Sequence, residues 1–150
     1  MTAQPDPYRI VRGTPTANAY RALRLAAGLS DKSPAAAERG LAASLFAVQL
    51  IADRALIGMG RVIGDGGCFF QVVDIAVEPG HQGRGLGKTI MREIMAWLSQ
   101  NAPPTSYVSL IADGPAKDLY AQFGFVPTAP ASIGMAWRPK AQVVAPAAPP

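Results

Sequence analysis

Cysteine is almost missing from this 150-residue chain, and Cys68 is the single one. An intramolecular disulfide is therefore excluded, and a cysteine-based metal site has no ligand set. Charge is sparse as well: Asp, Glu, Lys and Arg together make up 16% of the residues. The net charge of +4 favours an anionic ligand. Yet there is no run of Lys or Arg and no basic stripe interleaved with aromatics, so nucleic acid is not an expected partner. No apolar run approaches the roughly 18 residues of a membrane span, and the opening MTAQPDPYRI lacks the apolar stretch of a signal peptide. The expectation is a cytoplasmic protein with no membrane partner.

Apolar residues, at 49%, are plentiful enough for the core of one domain. Residues 1–7 read as a flexible tail and the Ala/Pro-rich residues 140–150 as a disordered one, which leaves 8–139 as the folded domain. YRIVRG alternates as a short strand. TPTANAYRALRLAAGL reads as a helix that Gly28 ends, and Ser33-Pro34 starts a second helix as N-cap and first helical residue. Three apolar runs between Leu45 and Val77, separated by Asp53-Arg54 and by GDGG, form an antiparallel meander. Leu86, Ile90, Ile94, Trp97 and Leu98 recur at helical spacing. TSYVSLIAD is a further strand, GPAKDLYAQFGF a short helix, and SIGMAWRP a candidate last strand. The unit from 68 to 112 is expected to be a parallel crossover inside a mostly antiparallel sheet.

The chemistry concentrates in GHQGRGLGKT, residues 80–89. A nucleotide-hydrolase P-loop ending in Gly87-Lys88-Thr89 requires glycine at 82, which is Gln. A dinucleotide fold requires G-x-G-x-x-G in a doubly wound sheet, whereas Gly83, Gly85 and Gly87 are spaced G-x-G-x-G after a meander. A third arrangement fits. The loop lies between a strand and the N-terminus of a long helix, where free N–H groups and the helix dipole seat a diphosphate without metal. Arg84 and Lys88 add charge-assisted contacts.

VVDIAVEPGHQGRGLGKTIM, with Gln82, Gly85 and Gly87 in the pattern [Q/R]-x-x-G-x-[G/A], resembles the acetyl-CoA segment of the GNAT superfamily of N-acetyltransferases. ADGPAKDLYAQFGF resembles that superfamily's second cofactor-side segment, ending L-Y-x-x-x-G-F. Together with the element order, the resemblance spans residues 8–138. It implies an α/β GNAT fold: a mixed, mostly antiparallel sheet with a central splayed parallel pair, flanked by helices. It also implies an acetyltransferase that moves the acetyl group of acetyl-CoA directly to a small-molecule or peptide amine, with no metal and with a homodimer as one possible assembly. A GNAT-fold module that binds CoA or acyl-CoA without turnover is the alternative, motivated by Gln71, which stands where many relatives carry a glutamate base.

By the same resemblance, Ile75, Ala76 and Val77 offer strand backbone to the pantetheine arm, and an amide lining the splay polarises the thioester carbonyl. Gln82, Gly83, Arg84, Gly85, Leu86, Gly87 and Lys88 meet the pyrophosphate. Tyr120 protonates the leaving thiolate, or else is a buried aromatic. Asp74 is either the base or a structurally held carboxylate. Strict alternation turns it away from Gln71, Val73 and Ile75 unless a bulge re-aims it; a water chain is the other route for the proton. Lys117 reaches the nucleotide end or is solvated. Asp113 is read as a helix cap, His81 as a surface residue, and Cys68 as a small apolar filler. Phe46, Phe69 and Phe70 either line an apolar acceptor site or pack in the core, and TAPASIGMAW closes one side of it.

Overall fold

The computed structural model describes residues 7–139; of the tails read at 1–7 and 140–150, all but residue 7 lie outside them. Strand β1 (Arg9–Arg12) is followed by helices α1 (Ala17–Ala26) and α2 (Pro34–Ala42). The meander β2 (Phe46–Ala52), β3 (Ala55–Gly64) and β4 (Phe69–Val77) comes next. Helix α3 (Leu86–Asn101), strand β5 (Tyr107–Leu110) and helix α4 (Ala116–Ala121) complete it. The sheet order is β1-β2-β3-β4-β5, antiparallel except for the parallel pair β4–β5.

Local chemistry sets the boundaries. Thr16 and Ser33 cap α1 and α2 through side-chain oxygens that accept from Ala19 N at 3.2 Å and Ala36 N at 3.1 Å. Asp53 and Arg54, with φ of 48° and 65°, make a two-residue turn of the primed kind that matches strand twist. At the second turn, Asp65 Oδ1 accepts from the backbone of Gly67, Cys68 and Phe69 at 2.8, 2.8 and 3.0 Å. Those three donors hold the Asp65 carboxyl below its usual range.

The sheet carries α3 on one face and α1 with α2 on the other. On the α3 face, Ile90, Met91 and Ile94 are fully buried against Val48, Leu50, Val62, Phe70 and Val72. Each such side chain contributes about 1.5–3 kcal/mol by leaving water. The helix comes so close that a β-carbon on Gly60 would lie 2.6 Å from Ile90, 2.7 Å from Ile75 and 2.9 Å from Ile94. On the other face Tyr20, Leu23, Ala37 and Leu41 close over Met59 and Ala76.

Several expectations are corrected. Residues 132–139 form no strand: they enter no ladder with any described strand, and an alternating pattern without a ladder partner does not make one. Met135 and Trp137 in this segment are 87% and 86% exposed. Cys68 is exposed rather than a filler, because its backbone is drawn into the Asp65 turn at the open end of the sheet. Asp113 does not cap α4; it gives only its backbone carbonyl, to Ala116 N at 3.1 Å, and the cap position belongs to Pro115. Phe46 and Phe70 pack against Trp97 in the core, while Phe69 is exposed.

Candidate active site

Strand β4 changes phase halfway along. Arg61 is opposite Val73 and Met59 opposite Ala76, so Gly60 faces two residues, Asp74 and Ile75. This is a β-bulge, and Asp74 takes the left-handed φ of 60° that it requires. Before it, Phe70 and Val72 belong to the α3-side core; after it, Ile75 and Val77 do. Asp74 is thereby turned to the opposite face, toward α1.

There its carboxylate is enclosed, with a side chain only 6% exposed. Oδ2 accepts from Tyr20 OH and from Arg61 Nε, both at 2.8 Å, and Oδ1 accepts from Arg24 Nη1. The guanidinium groups are anchored in turn. Arg24 Nε and Nη2 donate to the Ser30 carbonyl at 2.8 Å and the Ser30 hydroxyl at 3.1 Å. Arg61 Nη1 donates to Gly40 O at 3.1 Å and Ser44 Oγ at 2.7 Å. Both arginines lie beside the Tyr20 ring, at 5.9 and 5.5 Å from its centre. Burial raises the Tyr20 pKa above its ordinary value, and the charge of Asp74 and its hydrogen bond add to this against the two arginines.

This cluster forms one wall of a cavity of about 560 Å³. Leu29 and Lys32, from the loop between α1 and α2, complete that side, and Gln71 and Val73 line it from β4. The opposite side is Leu110, Ile111, Asp113, Ala116 and Tyr120. The space between exists because β4 and β5 pair only from Phe69–Tyr107 to Val72–Leu110, while β4 runs on to Val77. Tyr120 is 8% exposed. Among the described residues its hydroxyl has no hydrogen-bond partner, and no fully enclosed polar side-chain atom lacks one. The hydroxyl is therefore not fully enclosed, and Tyr120 is part of the cavity lining. Burial, and then the charge of Asp113, raise the Tyr120 pKa.

Beyond Val77 the chain makes a single 3-10 turn, Pro79–His81, and enters α3 through Gly83 and Gly85, with φ of 80° and 76°. A β-carbon at either glycine would meet nothing within 4 Å. Gly85 is the N-cap of α3 and offers no side chain to the first-turn N–H groups. The loop is thus an open cradle of backbone donors and fits a pyrophosphate. Gln82 is not spread toward it: its Nε2 donates to Val77 O at 3.0 Å and pins the loop to the end of β4. Arg84 Nη1 donates to Tyr8 OH at 2.8 Å, and Tyr8 OH lies 2.9 Å from His81 Nδ1. Lys88 and Lys117 are exposed, and the cavity lining includes neither of them nor His81. Ile75 lines the cavity, and Ala76 packs under α1. None of Phe46, Phe69, Phe70 or the 133–139 segment lines it.

A family model described as "Acetyltransferase (GNAT) domain" matches residues 33–127. The chain belongs to the GNAT acetyltransferase family. Among curated GNAT relatives, it is 34% identical over 88 residues to GCN5-related N-acetyltransferase 2, chloroplastic, of Arabidopsis thaliana, covering 59% of this chain and 33% of that one. It is 33% identical over 87 residues to a histone acetyltransferase of Glycine max, covering 58% and 37%. The chain thus spans about a third of the length of these relatives. Among solved structures, a protein of unknown function from methicillin-resistant Staphylococcus aureus, named a probable acetyltransferase, is 50% identical with a TM-score of 0.84, covering 87% of this chain and 98% of that one. A GNAT acetyltransferase from Brucella melitensis in complex with acetyl-CoA shares the fold, with a TM-score of 0.58 at 20% identity over 80% and 83% of the two chains.

Sequence reasoning missed Tyr20, Arg24, Lys32, Arg61 and Tyr8. A signal existed for two of them. Arg61 interrupts the apolar run LIGMGRVIG, and Arg24 follows Tyr20 and Leu23 on the apolar stripe of α1. A charge in a buried pattern requires a buried partner. Among the described residues no group of His, Cys, Asp and Glu is arranged to hold a metal, and no helix is long and apolar enough to cross a membrane.

Proposed function

We propose that this protein is an N-acetyltransferase that moves the acetyl group of acetyl-CoA directly to an amine held in the cavity beside Asp74. The observation that carries the reading is the single cavity joining the β4–β5 gap, the Tyr120 hydroxyl and the arginine-ringed wall. The pyrophosphate of acetyl-CoA is assigned to the backbone cradle of Gly83, Gly85, Leu86 and Gly87, with Arg84 and Lys88 at its edge and Gln82 fixing the loop. The arm runs along the unpaired edge of Ile75, Ala76 and Val77, with Lys117 available to the nucleotide end. Acetyl-CoA supplies an activated thioester. The amine nitrogen bonds to its carbonyl carbon as the C–S bond breaks, and the sulfur gains a proton.

Tyr120 is assigned that proton donation. Its raised pKa keeps the phenol protonated through the neutral range, and Tyr120 lines the cavity with an accessible hydroxyl. Asp74 has two candidate roles, base and structurally held carboxylate. Its two oxygens accept from two guanidinium groups and a phenol, which favours the second, the positioning of the wall. The amine proton is then assigned to water reaching the cavity mouth.

Thiol release from acetyl-CoA in the presence of an amine panel tests the reading, together with calorimetric titration of CoA. Absence of CoA binding defeats it. Tight CoA binding with no thiol release across the panel replaces it with the non-catalytic module. Self-association is the second part of the reading: among the described residues the exposed Ile133, Met135 and Trp137 and the open edge of β5 each lack a neighbour, and two copies supply one to the other. Sedimentation giving a monomer at micromolar concentration removes that part.

A further inference from the structure

We infer that the acceptor end of the cavity selects a small amine that itself carries a carboxylate, an amino acid or a molecule built like one, and that Lys32 reads the carboxylate. This rests on the transfer reading above. Three cationic side chains, Arg24, Lys32 and Arg61, and two carboxylates, Asp74 and Asp113, line the cavity. The wall therefore carries one excess positive charge. A plain alkylamine enters as an ammonium and meets repulsion from that excess. An amino acid whose amine has lost its proton, the form that attacks, carries a single negative charge and matches it. The same excess favours loss of that proton, since a neighbouring positive charge disfavours the ammonium form.

The distribution of unspent charge points the same way. Arg24 and Arg61 are largely occupied by Asp74, Ser30, Gly40 and Ser44. Lys32 is different. Its backbone is fixed: its carbonyl accepts from Arg21 Nε at 2.6 Å, its N–H donates to Asp31 Oδ1 at 2.8 Å, and Arg21 Nη2 holds Asp31 at 3.2 Å. Among the described residues its ammonium has no hydrogen-bond or ion-pair partner. A cation is thus held at the cavity by its own loop with its charge free. Across the cavity, Asp113 is a carboxylate with no ion pair among the described residues, beside Tyr120. Free charges of opposite sign, one on the α1–α2 loop and one after β5, complement the two ends of an amino acid as it enters from water as a zwitterion, before the amine loses its proton.

The test uses matched acceptors, an amino acid and its decarboxylated amine, with thiol release from acetyl-CoA by the full chain. The amino acid is expected to be preferred at least about tenfold in kcat/KM, the scale of one charged contact made or lost. Lys32→Ala is expected to raise KM for the amino acid about tenfold at nearly constant kcat and to bring the two acceptors within about threefold, and Lys32→Arg to restore the preference. Lys32 is exposed, and a thermal melt verifies that each variant is folded. Equal or better turnover of the decarboxylated amine overturns the inference while leaving the transfer reading intact, as does a Lys32→Ala variant that keeps the wild-type preference. Absence of thiol release with every amine overturns both.

Discussion

Arg61 Nε stands 2.8 Å from Asp74 Oδ2, across the place where β3 and β4 lose register. The contact links the middle of the sheet to α1, because the same carboxylate also accepts from Arg24 and Tyr20. Removing the carboxylate leaves two buried cations facing each other. Asp74→Ala is expected to cost about 3–5 kcal/mol, the scale of breaking a buried ion pair from one side. Urea unfolding measures it. A loss below about 1 kcal/mol would show that the cluster is not a structural tie.

Tyr120→Phe deletes a hydroxyl that holds nothing together among the described residues. The expected result is a fall in kcat of about a hundredfold, the low end of general-acid contributions. KM for acetyl-CoA should stay within about twofold, and stability within about 0.5 kcal/mol. Because the Tyr120 pKa is raised from 10.0, any alkaline fall in kcat due to this phenol lies above pH 10. Stopped-flow or steady-state thiol assays across pH decide it, and full turnover in the variant removes Tyr120 from the chemistry.

Tyr20 carries a sign that can be checked. Its folded pKa is raised above the unfolded value of 10.0. Its contribution to stability is therefore complete below pH 10 and is lost as the pH rises through the folded value. Tyr20→Phe is expected to lower stability by about 1.5–3 kcal/mol at pH 7, the scale of a hydrogen bond to a charged group. The gap should narrow above pH 10, as the wild type loses what the variant never had. Denaturation at pH 7 and pH 11 gives the comparison; a constant gap contradicts it.

Gly60→Ala and Gly83→Ala separate crowding from conformation. At Gly60 the added methyl meets three isoleucines, Ile75 among them, so a loss of about 1–3 kcal/mol in stability is expected. At Gly83 the methyl meets nothing, but φ is 80°, and about 1–2 kcal/mol of backbone strain is expected there. The Gly83 variant should also weaken CoA binding by filling the cradle, which calorimetry reads directly. A Gly83 variant with unchanged CoA affinity places the pyrophosphate elsewhere.

Caps and turn residues made most of the architecture legible. Ser33-Pro34, Gly28, Asp53-Arg54 and GDGG mark boundaries through chemistry local to each site. The helical stripe of α3 and the glycine loop before it were likewise readable, because period and loop composition are local. The polar wall of the cavity was not. It joins residues 20, 24, 61 and 74, and their meeting depends on a change of phase inside β4 that alternation alone does not announce. The segment 132–139 misled for the opposite reason: its alternation is plain, but a strand needs a neighbour and alternation does not supply one.

The bulge in β4 has a consequence for how such a wall can be altered. Phe70, Val72, Ile75 and Val77 all serve the α3-side core. Take Asp74 out of the count and these four fall into simple two-residue alternation. Asp74 is in that sense a supernumerary residue, inserted opposite Gly60 into a strand whose core-facing frame is otherwise uninterrupted. The polar character of the cavity wall and the hydrophobic frame of the sheet are thus separable characters. A chain built on the same sheet could exchange the inserted residue and its arginines as a unit, acquiring a differently charged wall while the frame of β4 is conserved.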